Sequence, residues 1–127
     1  RPPTRPHTPR SAARLRELAS QAHEMGLDAL VEIHDARSLD AALATESGLI
    51  GVNNRNLVTM EVDPDHALSM AAQLPRDWVT VAESGIASRQ QVVAAGEAGY
   101  DAVLVGSSLV TADDPGAALR TLLGEEA

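Results

Sequence analysis

At 127 residues, 44% of them hydrophobic, the chain is long enough for one domain with a buried core. A formal charge of −8 argues against a nucleic-acid partner, since phosphate backbones need clustered Lys and Arg. The lack of cysteine excludes disulfides, thiolate nucleophiles and cysteine–metal sites.

Phe is absent and Trp78 and Tyr100 are the only aromatics, so Val, Leu, Ile and Ala must build the core, as in buried parallel strands. His7, His23, His34 and His66 show no ligand spacing, and neither a metal nor a cofactor is expected. No run approaches the roughly 18 apolar residues of a membrane helix, nor is there the apolar core of a signal peptide. The chain therefore reads as cytoplasmic, with neither nucleic acid nor membrane as a partner. All ten basic residues are arginine, and lysine is absent.

Residues 1–10 hold four of the seven prolines and no aliphatic side chain, and are expected to be disordered. Residues 11–127 then read as four strand–helix units preceded by one helix. Ser11 is expected to cap that first helix, which runs to about Met25 with Leu15, Leu18, Ala19 and Ala22 on one face and Gly26 as its stop. A strand at Ala29–His34 is followed by a helix from Ser38, its expected cap, to Ala44. The second strand is Leu49–Asn53. A loop through Asn56, Thr59 and Pro64 leads to a helix at His66–Gln73. The third strand is Trp78–Ala82, and Ser88 caps a helix ending near Gly99. The fourth strand is Ala102–Val105, and Asp114-Pro115 opens a last helix through Leu123. Strand–helix alternation predicts a parallel α/β sheet, because parallel neighbours need a crossover. Periodicity alone leaves open doubly wound sheets and barrels both possible.

Each strand ends in a polar signature, where α/β folds put their ligand sites. Ser84-Gly85 and Gly106-Ser107 follow the last two strands. Glycine lets a backbone approach an anion, and free amides with a hydroxyl donate to it. One such pair is commonly a plain turn; two on adjacent final strands point to phosphate. Glu32 interrupts an apolar strand, and a desolvated carboxylate is suited to proton transfer, although an edge strand could also show it to solvent. Asn53, Asn54 and Arg55 close the second strand. They offer an amide donor and acceptor and a two-pronged carboxylate binder, or simple turn chemistry. One of Glu83 and Ser84 must face inward; alternation does not say which. Glu61 and Asp63 lie in a loop and are expected to be solvated.

Taken in order, these motifs resemble the C-terminal half of indole-3-glycerol-phosphate synthase, a (βα)8 barrel. The resemblance runs from about Leu30 to Leu109 through Leu30-Val31-Glu32-Ile33-His34, Ile50-Gly51-Val52-Asn53-Asn54-Arg55-Asn56-Leu57, Val81-Ala82-Glu83-Ser84-Gly85-Ile86 and Val103-Leu104-Val105-Gly106-Ser107. Its most specific stretch is Asn-Asn-Arg followed by Thr59-Met60-Glu61-Val62-Asp63. The resemblance implies a carboxy-lyase of tryptophan biosynthesis that cyclises 1-(2-carboxyphenylamino)-1-deoxyribulose 5-phosphate, losing CO2 and water without a cofactor. It implies Glu32 and Asn53 as catalytic residues, in proton transfer and substrate orientation. It implies Arg55, Ser84, Gly85, Gly106 and Ser107 as substrate-binding residues, the last four gripping phosphate.

The family also draws a glutamate and two lysines from the first half of its barrel. This chain, with no lysine and about half the strands, is therefore expected to be inactive alone, and either to pair with a complementary half or to self-associate. Residues 1–10 stand where the family has an apolar strand and read as a truncation or frameshift scar. The competing readings are a piece of another phosphate-binding barrel, such as a phosphoribosylanthranilate isomerase or thiamine-phosphate synthase relative, and a non-catalytic phosphate-binding half-barrel.

Overall fold

The computed structural model describes residues 9–125. Of residues 1–10, expected to be disordered, 1–8 lie outside that range, whereas Pro9 and Arg10 belong to the first helix instead. Helix α1 spans Pro9–Glu24, so it begins two residues before the expected Ser11 cap. A proline is tolerated in a helix's first turn because it lacks only an N–H that would have no intrahelical partner. At its far end, the Leu27 N–H reaches back to the Ala22 carbonyl and Gly26 closes the turn at φ +79°. Ala19 is buried, but Leu18 stays 46% exposed, so the buried stripe is narrower than the pattern predicts.

Four strands follow: β1 (Val31–Ile33), β2 (Leu49–Asn53), β3 (Val79–Glu83) and β4 (Ala102–Leu104). All pair parallel, in the order β1-β2-β3-β4. A doubly wound sheet reverses its order at a switch point. This one does not, and its crossover helices gather on one face. That face carries the core: Val31, Ile33, Ile50, Val52 and Ala82 pack with Ala42, Ala67, Met70 and Ala95 from the helices. The architecture is half of a (βα)8 barrel.

Helix α2 (Leu39–Leu43) is entered through a 3-10 turn, Ala36–Ser38, whose cap is Asp35; its carboxylate accepts the Arg37 N–H. Ser38, the expected cap, sits in helical conformation and makes no side-chain cap bond. Helix α3 (His66–Met70) tightens into a 3-10 turn at Ala71–Gln73. Helix α4 (Arg89–Ala98) starts with a reciprocal Ser88–Gln91 capping box. After β4 comes a short helix the sequence pattern does not announce, α5 (Ser107–Val110), and then α6 (Pro115–Leu122) with Asp114 as its cap. Tyr100 ties the layers together by donating its hydroxyl to the Ala67 carbonyl. Burial pushes that phenol up to about 12, so it remains a donor.

Register fixes what the other face presents. Glu32, Gly51, Val81 and Ala102 share one row, and Asn53, Glu83 and Leu104 the row above it. Among the described residues no helix covers this concave side, where Val79 and Leu104 stay 48% and 52% exposed.

Candidate active site

The C-terminal ends of all four strands meet at one rim. At β3 alternation aims Glu83 inward, to the side of the sheet that bears Glu32. Its side chain lies across β2: a Cβ added to Gly51 would come 1.7 Å from Glu83 Oε2. Gly51 is therefore the slot that admits this carboxyl, and an isolated glycine inside an apolar strand is the sequence signal for such an approach. Glu83 is only 3% exposed, and its Oε2 has no donor among the described residues. Burial first, then the hydrogen bond and charge of Glu32, raise its pKa from 4.5 to about 8. At neutral pH Glu83 therefore keeps its proton, on the face of the sheet that bears Glu32.

Asn53 and Asn54 divide the work at the end of β2. Asn53 Oδ1 accepts the Arg55 N–H at 2.9 Å and the Ser84 hydroxyl at 2.7 Å. Because a backbone N–H can only donate, the first of those bonds identifies the amide oxygen and leaves Asn53 Nδ2 as a donor for the rim. Asn54, 2% exposed, faces the other way. Its Nδ2 donates to the Ser84 carbonyl and its Oδ1 accepts the Ala67 N–H, joining β2, β3 and α3. Arg55 Nη1 donates to the Met60 carbonyl at 3.0 Å, and its backbone bridges Val62, closing a small hairpin. Asn56 organises that hairpin's tip by accepting the Val58 and Thr59 N–H groups. Glu61 and Asp63, on the same loop, are exposed.

Arg55, Ser84, Gly85, Gly106 and Ser107 line one cleft of about 590 Å3, with Glu83 in its wall. All five expected binding residues are thus brought together, and Glu83 links the cleft to Glu32. Ser84 and Gly85 both take left-handed backbone, at φ +72° and +71°. For Ser84 that conformation is costly, and a strained side chain at a rim turn is common at functional sites. At Gly85 a Cβ would come 2.6 Å from Val62 Cγ1, so the turn itself requires glycine. Gly106 differs: a Cβ there would meet nothing within 4 Å, and its φ is −123°. Its ψ of −76° lies outside the ordinary helix and strand regions, and the open space beside it leaves room for a ligand to approach the backbone at the start of α5. Ser108 binds the Ile86 carbonyl and links the two loops. Among the described residues no three His, Asp or Glu side chains are grouped to hold a metal ion, and no helix is long and apolar enough to cross a membrane.

A one-directional parallel sheet with its polar groups on the C-terminal rim defines a (βα)-barrel half. The family described as indole-3-glycerol phosphate synthase matches residues 10–122. This chain belongs to that family. It is 46% identical over 110 residues to the indole-3-glycerol phosphate synthase of Koribacter versatilis, a match covering 87% of this chain and 42% of the relative. The enzyme of the same name from Albidiferax ferrireducens is 44% identical over the same shares. The chain thus spans well under half the length of these curated relatives. Among solved structures, it is similar to the Amycolatopsis orientalis BexX/CysO complex at 26% identity and TM-score 0.59, covering 89% of this chain and 50% of that one. The native KDPGal structure, at 19% identity and TM-score 0.61 with 85% and 49% covered, shares the fold alone.

Proposed function

We propose that this chain provides the C-terminal half of a cytoplasmic indole-3-glycerol phosphate synthase, which closes the indole ring of 1-(2-carboxyphenylamino)-1-deoxyribulose 5-phosphate. The observation that carries this reading is the Glu32–Glu83 carboxyl pair beside the Asn53 amide and the glycine-serine cleft. Ring closure joins the carboxyl-bearing ring carbon to the ketone carbon of the sugar, whose oxygen takes up a proton. CO2 then departs and returns its electron pair to the ring. The new hydroxyl leaves as water when it gains a proton and the neighbouring carbon loses one.

Glu32 is the proton-transfer group of this half, and the neutral Glu83 beside it limits charge build-up at the rim. Asn53 Nδ2 donates to a substrate oxygen and orients it. Ser84, Gly85, Gly106 and Ser107 hold the phosphate with hydroxyls and backbone N–H groups, and Arg55 adds positive charge at the cleft wall. General acid catalysis typically contributes about 10²–10⁴-fold, and this chain has no lysine to supply the family's principal acid. The activity therefore needs the complementary half-barrel, whereas phosphate binding does not.

The test mixes this chain with a separately expressed N-terminal half from a relative and follows indole fluorescence after adding substrate. Turnover is expected in the mixture and not in either half alone, and Glu32→Gln should abolish it. A folded, associated mixture that makes no indole product would overturn the reading.

A further inference from the structure

We propose that His34 and His66 form a positioning pair that sets the direction of the Asn53 amide. The two rings stack at 4.3 Å between centroids and 22° between planes, so their edges are directed at backbone carbonyls. His34 Nδ1 lies 2.9 Å from the Asn53 carbonyl oxygen, and His66 Nε2 contacts the carbonyl oxygen of His34. A carbonyl can only accept, so both nitrogens carry hydrogen: His34 is the Nδ1–H tautomer and His66 the Nε2–H tautomer.

The result is a chain of donors from α3 through the end of β1 to the end of β2. Asn53 sits at its terminus, held at the backbone by His34 and at the side chain by Arg55 and Ser84. Neither histidine lines the glycine-serine cleft. They face a separate hollow with Asn54, Asn56, Glu61 and Asp63, so their influence passes through Asn53.

The inference rests on the proposed function for its kinetic consequence but not for its structural one. Nitrogen-15 NMR of the full chain, under conditions where free histidine is neutral, should show the Nδ1–H tautomer at His34, opposite to the preference of free imidazole. His34→Leu should shift the Asn53 side-chain amide resonance. His34→Asn should restore it, because an asparagine Nδ2 lies where the imidazole Nδ1 was, and His34→Gln, which reaches the Nε2 position, should not.

With the complementary half added, His34→Leu should lower kcat by up to about 10²-fold, the scale of a misplaced catalytic group, with KM little changed. His34→Asn should recover most of that loss. An Nε2–H tautomer at His34, or an Asn53 amide unmoved in His34→Leu, would overturn the proposal. A wild-type mixture without turnover would instead strike at the proposed activity, and the tautomer and amide shift would still decide the positioning.

Discussion

Glu83 ionises at about 8 in the fold and at 4.5 outside it. The folded chain therefore binds more protons across that window. The stability contributed by neutral Glu83 is fully present below about 4.5 and is lost as pH rises toward about 8. Glu83→Gln is neutral throughout and should flatten this decline, so that the variant gains on the wild type as pH increases. Urea denaturation at several pH values measures it, and parallel profiles for the two proteins would show that the burial of Glu83 does not control its titration. The neighbouring asparagines should separate stability from binding. Asn54→Ala leaves the Ala67 N–H and the Ser84 carbonyl without their partner and should cost about 2–4 kcal/mol. Asn53→Ala should cost less stability and more of the substrate affinity or turnover.

The glycine-serine elements have different reasons for their glycines. Gly85 sits at φ +71° against Val62, so Gly85→Ala should destabilise the β3 turn by about 1–3 kcal/mol. Gly106 has neither constraint. Its φ −123°, ψ −76° backbone is still unusual, so Gly106→Val should cost about 1–3 kcal/mol of stability, and unlike Gly85→Ala it should also remove most phosphate binding. Titrating both variants with inorganic phosphate by calorimetry, beside a denaturation curve for each, distinguishes the two roles. Equal phosphate affinity in wild type and Gly106→Val would remove the cleft's claim to the anion. The short helix α5 matters here because its first turn opens toward that cleft, as extra helices do in phosphate-binding barrels.

At the scale of the molecule, among the described residues a four-stranded sheet with one covered face leaves β1 and β4 as open edges and, below the polar rim, the exposed apolar side chains Val79 and Leu104 on the concave side. Exposed edges and apolar surface of this kind drive association. A polypeptide of these 127 residues should self-associate with a concentration-dependent mass in light scattering. The complementary half should convert it to a single 1:1 species with cooperative unfolding. A monomer that unfolds cooperatively by itself would show that the concave face needs no cover. Self-association would also bring two Glu32–Glu83 pairs into one lumen, so the complementary half should win in competition.

The amino-acid sequence by itself determined the order of elements and where they stop. Apolar runs set the four strands, and Ser88, Asp114 and Gly26 mark helix ends through local hydrogen bonds that need no tertiary partner. It also marked the rim, because polar residues after buried strands can only sit at a sheet's end; the roles of those residues are implied by the family resemblance alone. It misplaced local caps where competing donors lay within two or three residues, as with Asp35 against Ser38. Only the tertiary structure decided which way β3 faces, since a parallel strand buried on both sides carries no alternation to read. That choice set Glu83 against Glu32 over Gly51, a contact between three strands whose energy depends on burial that no local pattern encodes. It likewise separated Asn53 from Asn54, two identical neighbours that successive Cβ directions send to the rim and to the core.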